Sequence, residues 1–206
     1  MGDIVFGTGI LSDLEIRELC EKEGMIDPYV PELVSEVEGK KVISYGQSSF
    51  GYDIRAGEEW YIMDERFGNK YLDPKDFDSN LMMKVVSKDC PVLIPPRSFA
   101  LTHSVERFKI PKDVIGVAVG KSTYARAGLI VNITPLEPGW EGWLTVELVN
   151  PSPHYLKVYP YEGIAQILFF RGMTPAEVYD SNRKYQNQER KVVFPKVIEV
   201  VELSSQ

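Results

Sequence analysis

Gly120-Lys-Ser-Thr-Tyr-Ala-Arg-Ala-Gly-Leu-Ile-Val-Asn-Ile-Thr-Pro-Leu-Glu-Pro-Gly-Trp-Glu-Gly-Trp-Leu-Thr-Val-Glu147, continued by Leu148-Val-Asn150, decides the architecture. It joins a turn able to open a short helix, a brief apolar run over Leu129 to Ile133, a bend of Pro, Gly and Trp, and a run over Leu144 to Asn150. Side chains of a strand alternate between its two faces. Thr145, Glu147 and Val149 therefore share one face, and Leu144, Val146 and Leu148 the other.

The same short-run texture extends outward in both directions. Candidate strands are Tyr52 to Ala56, Glu59 to Met63, Met83 to Val86, Val92 to Ile94, Phe99 to Val105 and Val114 to Val119. Later ones are Leu156 to Tyr159 and Ile164 to Phe170. Pro95-Pro96-Arg97 and Ile110-Pro-Lys-Asp113 read as turns, where proline fixes φ and withholds a donor. Many short strands at close spacing predict a mainly β fold, a distorted jelly-roll or β-barrel with a few short helices, rather than alternating β-α units. One helix is expected near the N-terminus. Ser12-Asp-Leu-Glu15 is a capping-box pattern, Leu14, Ile16, Leu19 and Cys20 supply apolar positions to about Lys22, and Gly24 ends the helix.

A chain of 206 residues suits one domain over residues 1–206, with residues 1–25 as an N-terminal helical segment and 179–206 as a C-terminal tail. From Tyr179 that tail is polar, then strand-like at Val197 to Val201, as expected of a flap that orders over a ligand. Charged residues make up 26% and apolar ones 44%, ordinary for a globular protein. No apolar run approaches membrane-spanning length and no basic-then-apolar leader is visible, so no membrane partner is expected. The net charge of -7 argues against nonspecific nucleic-acid binding. The two cysteines, Cys20 and Cys90, form no disulfide framework, and a reducing cytoplasmic location is the expectation.

Chemistry concentrates in the opening stretch. Glu147 is an acid on an apolar strand, costly to bury unless paired or at work. It is either a general base or an ordinary acid in a salt bridge or at a sheet edge. Lys121 and Arg126, with the hydroxyls of Ser122 and Thr123, gather positive charge and hydrogen-bond donors where a helix start would suit phosphate oxygens. A capped helix with surface cations would look the same. Gln166, inside the apolar run Ile164 to Phe170, needs partners for its amide, from a ligand or from backbone.

The stretch resembles the dCTP deaminase family, within the dCTP deaminase and dUTPase superfamily. The resemblance extends to Ser48-Ser-Phe-Gly-Tyr-Asp-Ile-Arg55, to Gly163-Ile-Ala-Gln-Ile-Leu-Phe-Phe170, and to Tyr179 with Lys184-Tyr-Gln-Asn-Gln188, covering about residues 45 to 190. It implies a hydrolytic deaminase making dUTP and ammonia from dCTP, with catalytic Glu147, Ser122 and Arg126. It implies ligand contacts from Lys121, Ser122, Thr123, Tyr124, Ala125 and Arg126, from Trp140 against the sugar, from Thr145, Val146 and Glu147, and from Gln166, Tyr179, Lys184 and Gln188. It further implies a homotrimer with shared sites, Mg²⁺ carried by the triphosphate, and dTTP as a feedback ligand. Gly51-Tyr-Asp53 is expected to be structural or interfacial, the aspartate as a local cap.

Many base deaminases activate water on zinc held by His and Cys. Isolated His103 and His154, and cysteines without a Cys-x-x-Cys, leave no such set, so a carboxylate must serve and no catalytic metal is expected. A carboxylate there would be raised in pKa by desolvation and lowered by a nearby guanidinium. Glu137 stands where many superfamily members carry aspartate and is not among the candidates. The alternatives are a bifunctional deaminase that also cleaves the α–β phosphate bond, and a catalytically silent nucleotide-binding trimer. A pure dUTPase would want aspartate at 137 and a glycine-rich tail motif.

Overall fold

The computed structural model describes residues 7–64, 66, 70–180 and 182–197. In chain order its elements are β1 (Gly9–Ile10), α1 (Asp13–Glu23), β2 (Ile26–Asp27), β3 (Leu33–Val37), β4 (Lys40–Gln47) and β5 (Tyr52–Met63). There follow β6 (Met82–Val86), β7 (Val92–Ile94), β8 (Ser98–Lys109), β9 (Val114–Gly120), α2 (Ser122–Arg126) and β10 (Ile130–Asn132). The last are β11 (Glu141–Asn150), β12 (Leu156–Val158) and β13 (Gly163–Arg171).

Eleven strands form one sheet whose spine runs β1-β13-β5-β8-β11-β10, and β7 and β12 form a separate pair. The large sheet curls into a half-barrel, so the mainly β expectation holds. Register shifts between Ala56 and Trp60 and between Trp143 and Thr145 bend the long strands, as bulges do. The concave side encloses a core that includes Ile54, Trp60, Val146, Leu148, Ile167 and Phe169, all fully buried. A second, smaller cluster joins Met82, Leu101 and Val192, with Tyr61, Phe77, Phe99 and Phe194 packed on it.

The capping-box reading of α1 holds. Glu15 Oε2 accepts from both the backbone N–H and the hydroxyl of Ser12, at 3.0 Å each. Gly24 closes the helix at φ 69°, a left-handed conformation that glycine adopts without a Cβ penalty. Ile16, Leu19 and Cys20 are buried as expected, but Leu14 is 60% exposed on the solvent side.

Two departures from the predicted strands have physical causes. Tyr52 to Met63 is continuous through Gly57 because the ring of His103 occupies the space of the missing side chain. A Cβ built there would lie 2.2 Å from His103 Cε1. The β3–β4 hairpin was not expected because β3 is exposed along most of its length and carries no alternation to read. It turns on Glu38 and Gly39, at φ 49° and 75°, the positive pair that a tight hairpin turn requires. Val197, where a further strand was expected, is irregular and exposed, and the rest of that run lies outside the described residues.

Candidate active site

Glu147 occupies the middle of β11, where both edges of the strand are paired. Its Cα partner on β8 is Leu101 and on β10 is Asn132. Ladder bonds on two sides fix the backbone, so the carboxylate has a defined origin. Val146 and Leu148 point into the core, while Thr145 and Glu147 are half-buried on the opposite face. They line a cavity of about 490 Å³ together with Phe77, Phe99, Leu101, Trp140, Tyr179, Tyr185 and Gln188.

Burial pushes the Glu147 carboxyl up to about 7, from 4.5, against a smaller pull from its own backbone amide. The guanidinium expected to lower it is not among the causes. Oε2 is buried and has no hydrogen-bond partner among the described residues. Leaving a buried polar atom unpaired costs about 1–3 kcal/mol, which makes such an atom a candidate for ligand contact. Near neutral pH this carboxyl can both take and return a proton.

The tail closes one side of the cavity. Tyr179 N–H donates to Pro138 O at 2.8 Å, and the indole N–H of Trp140 donates to Tyr185 O at 2.8 Å. The Gln186 side chain accepts from Glu141 N–H and donates to Gly139 O, both at 2.9 Å. Asn187 N–H reaches Glu141 O at 2.8 Å, and Trp143 N–H reaches Gln188 O at 3.1 Å. Apart from that of the Trp140 indole, these bonds satisfy backbone groups of the 137–143 bend with a segment more than forty residues further along the chain.

The turn after β9 lies elsewhere. Gly120 pairs with Ala165 on β13, and α2 starts at once, with Lys121 as its N-cap residue. The span of β10 then separates α2 from the level of Glu147. Ser122, Thr123, Ala125 and Arg126 are exposed, and none of residues 121–126 lines the Glu147 cavity. Arg126 Nη1 donates to Ser122 O at 3.4 Å. Tyr124 is buried in the core, its hydroxyl accepting from Tyr159 N–H at 2.9 Å. Lys121 Nζ lies 2.6 Å from Asp53 Oδ2, both side chains largely buried, so Asp53 is an ion-pair partner and not a local cap. Burial pushes the Asp53 carboxyl up, and the bonded Lys121 partly offsets this.

Of the remaining candidates, Trp140, Thr145, Tyr179 and Gln188 line the cavity with Glu147. Val146 turns its side chain into the core. The Gln166 amide donates to Ser48 Oγ at 2.9 Å and to Phe50 O at 3.3 Å, one side-chain and one backbone partner within the protein. Lys184 is exposed, with Nζ 3.2 Å from Lys196 O and 5.3 Å from the centroid of the Tyr185 ring. Glu137, left out of the candidates, lines the cavity. Tyr185, Phe77 and Phe99 line it too and were not singled out. Tyr185 had a signal, an aromatic between Lys184 and Gln188, whereas Phe99 on β8 and Phe77 in the irregular stretch before β6 carry no local cue.

The family model described as dCTP deaminase-like matches residues 10–172. A dCTP deaminase of Azoarcus sp. is 47% identical over 190 residues, covering 91% of this chain and 99% of the relative. A dCTP deaminase of Neisseria meningitidis is 47% identical over 189 residues, covering 91% and 98%. The crystal structure of 2′-deoxycytidine 5′-triphosphate deaminase from Agrobacterium tumefaciens shares the fold. Its TM-score is 0.58 at 18% identity, over 80% of this chain and 49% of that longer one. No described helix is long and apolar enough to cross a membrane. Matched over most of its length by that model and by relatives at nearly half identity, the chain belongs to the dCTP deaminase-like family.

Proposed function

We propose that the protein deaminates dCTP by hydrolysis, giving dUTP and ammonia, with Glu147 as general base and then general acid. The observation that carries this reading is the Glu147 carboxyl, poised near neutrality with a buried, unpartnered Oε2, in an aromatic-lined cavity. The names of the relatives supply the substrate.

In the first step the Glu147 carboxylate takes a proton from water as its oxygen bonds to C4 of cytosine, and that proton passes to N3. The second proton then moves from the new hydroxyl, through Glu147, to the exocyclic amine. Ammonia departs, C4 becomes a carbonyl, and the carboxylate is restored. Proton shuttling of this kind contributes about 10²- to 10⁴-fold in rate. Trp140 and Tyr185 present flat apolar surfaces suited to the sugar and base. Water is activated here by a carboxylate, without zinc, and Mg²⁺ enters only as the counter-ion of the triphosphate. The nucleotide dTTP, sharing the sugar and triphosphate, competes for the same cavity.

The exposed Ser122–Arg126 turn fits this scheme when a second copy supplies it. In a homotrimer the turn of one subunit would meet the Glu147 cavity of the next, bringing cations to the triphosphate and Ser122 and Arg126 to the attacking water. Val117, Val119 and Ile130, exposed apolar residues on β9 and β10, support burial of this face. Two unpaired cysteines suit a cytoplasmic setting.

The test is incubation with dCTP and Mg²⁺, quantifying ammonia, dUTP, dUMP and pyrophosphate. Ammonia with stoichiometric dUTP is the expected result. Stoichiometric pyrophosphate with dUMP would instead establish the bifunctional enzyme, a second reading favoured by Glu137 in the cavity lining. Tight dCTP binding without turnover would identify a silent binding protein.

A further inference from the structure

Thr145 stands two residues before Glu147 on the same face of β11, directly after the register shift between Trp143 and Thr145. A bulge of this kind re-aims the side chain that follows it. Its hydroxyl oxygen accepts two hydrogen bonds, from Gln188 Nε2 at 2.6 Å and from Val193 N–H at 3.1 Å. A threonine hydroxyl has two lone pairs, so both are committed to the tail. The two donors bracket Glu189, Arg190, Lys191 and Val192. One oxygen thereby pins both ends of a short tail loop. Val192 N–H adds a bond to Glu59 Oε1 at 3.1 Å, and its side chain is 5% exposed.

We infer that Thr145 is a positioning residue whose hydroxyl latches the tail over the cavity, acting through Gln188 and Val193. Contact with the ligand is a separate matter from this role. The kinetic side of the inference rests on the deaminase reading, while the structural side stands without it. Replacing the hydroxyl by a methyl keeps the shape of the side chain and strands two donors. Gln188 sits on a stretch already held to the bend by the Gln186 side chain, by Asn187 N–H and by Gln188 O, so its amide cannot swing to a new acceptor without disturbing those bonds. A serine keeps the oxygen and should keep the latch.

Limited trypsin digestion of the full-length, ligand-free protein reads the latch, because Arg190 and Lys191 lie inside the bracketed loop and are exposed. Loss of two hydrogen bonds to a local opening predicts cleavage there about tenfold faster in Thr145→Val, with Thr145→Ser within about twofold of wild type. Gln188→Ala should speed cleavage less, and the double variant Thr145→Val with Gln188→Ala should be no faster than Thr145→Val alone, since both remove the same contact. The KM for dCTP should rise about tenfold in Thr145→Val and return in Thr145→Ser, tracking the proteolysis. Wild-type cleavage in Thr145→Val, or a serine variant that behaves like the valine one, overturns the inference. If Thr145→Val does not fold, unchanged cleavage in Gln188→Ala overturns it and faster cleavage supports it. A wild-type protein that leaves dCTP untouched refutes the functional reading alone, and the digestion comparison still decides the latch.

Discussion

At the scale of single residues, the role proposed for Glu147 would couple activity to stability. Its carboxyl is raised from 4.5 to about 7 by burial, so the folded state favours the protonated form. The associated stability is fully present below pH 4.5 and is lost as pH rises through about 7. A shift of that size corresponds to about 3 kcal/mol at high pH. Glu147→Gln should therefore gain little thermal stability at pH 4.5 and gain clearly at pH 8, which a series of melting curves would show. The same variant should lose deamination by about 10²-fold or more while still binding dCTP, measurable by calorimetry beside the ammonia assay. Turnover has the opposite pH dependence from stability. If Glu147 is the base it must be ionised, and kcat/KM should then rise with pH through about 7 in the free enzyme. Glu147 itself was legible in the sequence, since strict alternation in Leu144 to Val149 left one acid facing away from the core. The missing guanidinium was not legible, because strand pattern carries no information about where α2 sits.

At the scale of elements, the tail is joined to the 137–143 bend so closely that glycine is required. Gly142 has φ 146°, and a Cβ there would lie 2.7 Å from Gln188 N. Gly142→Ala should push residues 187 and 188 off the bend and raise the KM for dCTP by about tenfold, checked by steady-state kinetics alongside a circular dichroism spectrum that shows the sheet intact. The α1 helix and β11 could be read from capping and period because those signals are local. The β3–β4 hairpin could not, because an exposed edge has no buried face to impose a pattern. The unbroken β5 was hidden for a different reason. Gly57 reads as a breaker until the ring of His103, forty-six residues later, is seen filling its place. The same holds for the tail, whose bonds to the bend run mostly through backbone groups that every residue type carries.

At the scale of the whole molecule, the half-barrel puts the acid and the cationic turn on different parts of one chain. If neighbouring copies combine them, Glu147→Gln and Arg126→Ala should each be inactive alone yet complement when denatured together and refolded. Equal mixing should restore about a quarter of wild-type sites, since each restored site needs Glu147 from one subunit type and Arg126 from the other. Absence of any recovery in mixed, properly assembled material would place both residues in the service of the same subunit. Mass measurement by light scattering would establish the number of copies in the same sample.

The cavity around Glu147 is enclosed by residues drawn from Phe77 through Pro195. Every named strand ends by Arg171, so Tyr185, Gln188, Val193 and Pro195 add a wall to the cavity without lengthening the ladder of strands.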